Sequence, residues 1–220
     1  MTKRLLVIIT AIVAVVGFGA ATFLYEPPAT KPAADTSAQD NFLVRDHSPI
    51  LGPPDAPVTI VEFFDPACEA CRAFYPVVKQ IMDTFPGQVR VVLRYATFHE
   101  GSDEVARILE LARLQGVFED ALEEVLETQP AWATHGAPDL AKAWDAAHAA
   151  GLDVEKARRN LQMPEINAAL NQDMADVRAV GVSQTPTFFV NGKPLPSFGA
   201  QQLYDLVESE VQARTGVSAN

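Results

Sequence analysis

The chain has 220 residues, 48% of them hydrophobic and 20% charged, enough apolar material to build a core and to exclude wholesale disorder. Its 17 basic and 28 acidic residues give a net charge of −11, the wrong sign for a protein that displaces counterions from nucleic acid. Two cysteines, Cys68 and Cys71, are too few for a disulfide scaffold, so the fold must stand on its hydrophobic core.

Lys3 and Arg4 precede an uncharged run from Leu5 to Tyr25. As a helix that run is about 31 Å long, close to the hydrocarbon thickness of a bilayer. Residues 1–25 therefore read as a single-pass anchor in a bacterial inner membrane, N-terminus cytoplasmic, with the remainder exported to the periplasm. A signal segment cleaved near Gly19-Ala20-Ala21 is the alternative. Residues 26–41, rich in Pro, Ala and small polar residues, read as a flexible linker with no room for a dimerisation domain, which predicts a monomer.

Phe42–Arg45 predicts a short first strand, and Leu51–Pro57 a loop. Val58–Phe64, β-branched and aromatic, predicts a buried strand that Asp65-Pro66-Ala67 breaks. From Cys68 onward, Phe74, Val77, Val78, Ile81, Met82 and Phe85 are spaced as a helix, kinked at Pro76. Val89–Ala96 predicts a second strand. Some eighty helical residues follow: one helix capped by Ser102, a second after Gly116, and further ones starting at Pro138, Asp153 and Pro164. Trp132 and Trp144 read as core, and Glu119, Asp120, Glu123, Glu124 and Glu127 as a solvated face. Thr187–Val190, the turn Asn191-Gly192 and Leu195–Ser197 predict a hairpin, and Ala200–Arg214 a last amphipathic helix.

Cys68 falls where a strand–loop–helix sequence starts its helix, and there unpaired amides and the helix dipole favour thiolate over thiol. Cys71, one turn on, is within reach to form a disulfide or to resolve a mixed one. A zinc site would need two more ligands at compact spacing. His47, His99, His135 and His148 are scattered and form no such motif, so no metal is expected, although the two thiols remain a candidate Cu(I) site. His99 can edge the active-site groove or lie in solvent.

The stretch Val58–Pro76, VTIVEFFDPACEACRAFYP, resembles the active-site segment of the DsbA family of exported thiol:disulfide oxidoreductases. Gly181–Val190, GVSQTPTFFV, resembles the segment that carries the family's cis-proline. The resemblance implies an α/β, thioredoxin-like fold, residues 42–100 and 176–216, with an inserted helical subdomain, residues 101–175. It implies that Cys68 and Cys71 are catalytic and that Glu62, a buried acid with a raised pKa, moves protons to and from Cys71. It also implies that Thr185 and the cis-proline Pro186 bind substrate as an added strand. The implied partners are exported cysteine-containing proteins and a DsbB-like membrane oxidase, or a membrane reductase; no cofactor is implied. The chain departs from the pattern at Glu69 and Ala70, where strong oxidants carry a histidine. Glu69 is expected to raise the Cys68 pKa by like-charge repulsion, with Arg72 offsetting it, which predicts an oxidase of moderate potential. An isomerase or reductase, or a Cu(I) chaperone, is the alternative.

Overall fold

Strands form where β-branched and aromatic residues run together, and the computed structural model, which describes residues 42–216, gathers them into one sheet. Its strands are β1 (Ile50–Leu51), β2 (Val58–Phe64), β3 (Val89–Tyr95), β4 (Thr187–Val190) and β5 (Lys193–Pro194), in the order β1-β3-β2-β4-β5. β2 and β3 are parallel, paired from Val58 with Val89 to Phe64 with Tyr95, and are joined by the crossover helix α1 (Glu69–Thr84). β4 runs antiparallel to β2, placing Phe188 beside Glu62. Between β3 and β4 come α2 (Ser102–Gln115), α3 (Phe118–Glu127), α4 (Gln129–Trp132), α5 (Leu140–Ala149), α6 (Val154–Arg159) and α7 (Pro164–Val180); α8 (Ala200–Thr215) ends the fold.

The central strands alternate between two buried faces. Val58, Ile60 and Phe64 of β2, with Val91, Leu93 and Tyr95 of β3, join the core shared with α1, α8 and the helical block. Val61, Phe63 and Val92 face the other way, onto Val177 of α7 and Leu43. Alternation therefore puts Glu62 on the face of α1, and Arg94 on the face of α7. Trp132 and Trp144 are buried in the helical block, with their indole N–H groups donated to the Val125 carbonyl at 2.8 Å and the Glu104 carboxylate at 2.7 Å.

Several local expectations need correction. Phe42–Arg45 is no strand; the carbonyls of Phe42 and Leu43 accept from the Arg94 guanidinium, at 2.5 and 2.9 Å, and the edge strand is Ile50–Leu51. The hairpin partner is Lys193–Pro194 and not Leu195–Ser197. Asn191 and Gly192, at φ 47 and φ 80, make a two-residue turn that sets Lys193 directly against Val190. Ser102 is not a cap: the left-handed Gly101 precedes α2, and the Ser102 hydroxyl is donated to Asp65. α5 starts at Leu140, two residues after Pro138, and α7 runs across the expected domain boundary at 175–176. The anchor read in residues 1–25 and the linker 26–41 lie outside the described residues; among the described residues, no helix is long and apolar enough to cross a membrane.

Arg94 is fully buried and donates to Asp173 and Asp176 of α7, each at 2.7 Å, while Arg45 grips Asp176 through two bonds of 2.8 Å. This cluster fastens α7 and the segment at Phe42–Arg45 to the sheet. Burial alone would push the Asp176 carboxyl up, but hydrogen bonds from Arg45, Arg94 and Gln172 hold it down at about 2. Its contribution to stability is therefore present above the ordinary carboxylate range and is lost as pH falls toward about 2. Asp176→Asn is expected to cost about 3 kcal/mol at neutral pH, by urea denaturation, with the deficit shrinking on acidification. Equal stability of the two proteins at neutral pH would contradict the clamp.

Candidate active site

β2 ends at Phe64, and Asp65-Pro66-Ala67 turns the chain so that Cys68 precedes the first turn of α1, at φ −76 and ψ 120. The Cys68 amide donates to the Asp65 carbonyl at 3.0 Å. Both thiols are free; Cys68 is 7% exposed and Cys71 fully buried. Across the cleft, the Thr185–Pro186 peptide bond is cis, and the Thr185 carbonyl lies 3.3 Å from the Cys68 sulfur, which donates to it as a thiol.

The two sulfurs titrate in opposite directions. A hydrogen bond from Cys71 is the largest influence on Cys68; burial opposes it, and the Thr185 side chain and the Cys71 and Ala70 amides reinforce it. The net result is a thiol lowered to about 5. The Thr185 hydroxyl is buried without a hydrogen-bond partner, and the bond between the two residues runs from the Cys68 thiol to the Thr185 carbonyl. Cys71 is driven far above its ordinary range, first by burial, then by giving its proton to Cys68 and by the charge of Glu62. One sulfur is thus poised as a thiolate and the other as its proton donor.

Glu62 is 4% exposed. Burial, and to a lesser degree the Cys68 charge, raise its carboxyl to about 8, so it is largely protonated at neutral pH. Phe74 packs against Phe198 at 4.6 Å and Phe188 at 5.5 Å, and those two rings, with Gln184, Pro186 and Leu195, line a small hollow beside the cis-proline.

The structure brings Cys68, Cys71, Glu62, Thr185 and Pro186 together. The middle residues act differently from the expectation. Glu69 is exposed and is not among the principal influences on Cys68. Ala70 acts through its amide. Arg72 turns to the helical block, where its Nε donates to Gln129 Oε1 at 3.0 Å.

Two residues escaped the sequence reading. Gln129 of α4, buried, donates its amide to the Pro66 and Cys68 carbonyls, at 2.7 and 3.0 Å, tying the helical block to the cysteine turn. Nothing local in the sequence singles it out. Asp65, fully buried, donates its backbone N–H to Cys71 Sγ at 3.4 Å. A charge closing the apolar run VTIVEFF was the available signal, and it was read only as a strand breaker.

A carboxyl raised to about 8 favours the folded state while protonated, and that advantage is lost as pH rises from the ordinary carboxylate range through about 8. Glu62→Gln should remove this loss. Relative to wild type, the reduced variant is expected to gain on the order of a few kcal/mol between about pH 5 and about pH 8, by urea denaturation. A difference that stays flat with pH would contradict a buried, titrating Glu62.

A family model described as thioredoxin matches residues 45–208. The crystal structure of a thioredoxin-like oxidoreductase from Silicibacter pomeroyi DSS-3 superposes with a TM-score of 0.67 at 32% identity, covering 77% of this chain and 95% of that one. Disulfide bond formation protein D of Bacillus subtilis (strain 168) is 29% identical over 180 residues, which is 76% of this chain and 78% of that protein. The Na(+)/H(+) antiporter NhaA of Herminiimonas arsenicoxydans is 32% identical over 163 residues, 73% of this chain but 25% of that protein. The chain spans about a quarter of the length of the first curated relatives it matches. With that family model matched over most of its length, the chain belongs to the thioredoxin family.

Proposed function

We propose that the protein is an extracytoplasmic oxidase that passes the Cys68–Cys71 disulfide to exported, cysteine-containing proteins. The observation that carries this reading is the buried Cys68 sulfur lowered to about 5 beside a Cys71 held neutral. A thiolate that is stable in the reduced protein favours reduction of its own disulfide, and so favours oxidation of the partner.

In the oxidised protein, a substrate thiolate attacks Cys68, the less buried sulfur. A substrate–Cys68 bond forms, the Cys68–Cys71 bond breaks, and Cys71 leaves with the electron pair. Glu62, protonated near neutral pH, gives Cys71 its proton and regains one from solvent. The second substrate thiolate then attacks the substrate's own sulfur in the mixed disulfide. The substrate disulfide forms, and Cys68 leaves as a thiolate that needs no proton. Two electrons pass from substrate to the cysteine pair. The Thr185 backbone pairs with the substrate as an added strand, and the hollow beside Pro186 takes a side chain next to the substrate cysteine. Reoxidation falls to a quinone-linked, DsbB-like membrane partner, and an anchor at residues 1–25 would keep the two close.

A thiol at about 5 lies between the about 3.5 of DsbA and the about 7 of thioredoxin. The reduction potential, read by equilibration with glutathione, is accordingly expected between about −120 and about −270 mV, with reduced unfolded protein oxidised catalytically. A potential at or below the lower bound, with insulin reduction instead, would assign a reductase. Tight Cu(I) binding without thiol exchange would assign a metal chaperone. Cys71→Ala is expected to accumulate mixed disulfides through Cys68, and Cys68→Ala to abolish exchange; mixed disulfides in neither background would contradict attack at Cys68.

A further inference from the structure

The Asp65 carboxylate joins two segments that are distant in sequence. Oδ1 accepts from the Ala67 amide at 2.9 Å and from the Ser102 hydroxyl. Oδ2 accepts from the amides of Phe98 and His99, at 2.7 and 3.0 Å, and lies 2.7 Å from His99 Nδ1. The backbone of the same residue reaches both cysteines, through its N–H to Cys71 Sγ at 3.4 Å and its carbonyl to the Cys68 amide at 3.0 Å. A carboxylate only accepts, so the bond to His99 fixes Nδ1 as the protonated nitrogen and leaves Nε2 to gain or lose a proton.

We infer that His99 is a positioning residue for thiol exchange: held by Asp65, its imidazolium stabilises the Cys68 thiolate from the β3–α2 loop. The inference rests on the thiol-exchange reading of the site and adds a residue to it. The charged groups that act on His99 are Asp65 from the turn after β2, in direct contact, and Cys68 and Glu69 from the start of α1; Glu100 adjoins it in its own loop. Burial by itself would lower the imidazole pKa, but the bond and charge of Asp65, with the negative Cys68 and Glu69, raise it above its usual value. The side chain is 39% exposed, so it exchanges protons with solvent. Attraction between imidazolium and thiolate is mutual. Neither Glu69 nor Ala70, the residues between the cysteines, can supply that cation.

The test compares wild type with His99→Gln, which keeps an amide donor for Asp65 but no charge, and with His99→Lys, which keeps a charge. Thiolate absorbance and glutathione equilibria are read on the full chain, with urea denaturation confirming that each variant is folded. His99→Gln is expected to move the Cys68 titration up by about half a unit. At about pH 6 its dithiol–disulfide equilibrium should lie about threefold toward disulfide relative to wild type. The gap should narrow as pH rises and wild-type His99 loses its proton. His99→Lys should restore the wild-type value and hold it at about pH 9. A His99→Gln protein that matches wild type overturns the inference, as does a gap that persists unchanged at high pH, which would reflect loop packing and not charge. Failure of wild type to equilibrate with glutathione at all would instead contradict the thiol-exchange reading itself.

Discussion

A sulfur that is buried and yet must carry its charge at neutral pH is the constraint around which this molecule is arranged. Burial pushes a thiol toward its neutral form, so the Cys68 thiolate exists only because fixed dipoles replace the lost water. The donors come from the first turn of α1 and the buried Cys71, and Thr185 closes on the sulfur from the cis-proline loop. Bringing them together requires β2 and β4 to be neighbours, with α1 leaving the end of β2 directly. The sheet order is thus also the order that assembles the site.

Each central strand carries an ionisable residue into the core, and the two are handled in different ways. Glu62 faces α1, has no ion-pair partner among the described residues and stays protonated, which makes it a proton store beside Cys71. Arg94, a strand away and on the opposite face, meets two carboxylates and keeps its charge paired. The first arrangement spends stability to hold a proton where exchange uses one. The second closes the far face over α7 and fastens the segment that enters the fold.

The strongest sequence signals were those whose cause is local. The β-branched and aromatic run VTIVEFF, the Asn191-Gly192 turn and the helical spacing after Cys68 each predicted an element that forms. The burial of Glu62 was implied by the resemblance, and the fold leaves it 4% exposed. What escaped depends on partners far along the chain. Ser102 has the chemistry of a cap, but its hydroxyl is taken by Asp65, and Phe42–Arg45 has strand composition, but its carbonyls are taken by Arg94. Gln129 looks like an ordinary polar residue until α4 folds over the cysteine turn. Glu69 is a related case. Adjacency in sequence gave it weight, but an exposed carboxylate is screened by water, and the nearer dipoles decide.

The central claim is that the reduced protein keeps one buried sulfur ionised, and a pH titration of thiolate absorbance in the reduced wild-type chain tests it most directly. A single thiolate titrating near about 5, with the second sulfur silent until strongly alkaline pH, is the predicted result. Two sulfurs titrating together near about 8.5, as free cysteines do, would contradict it.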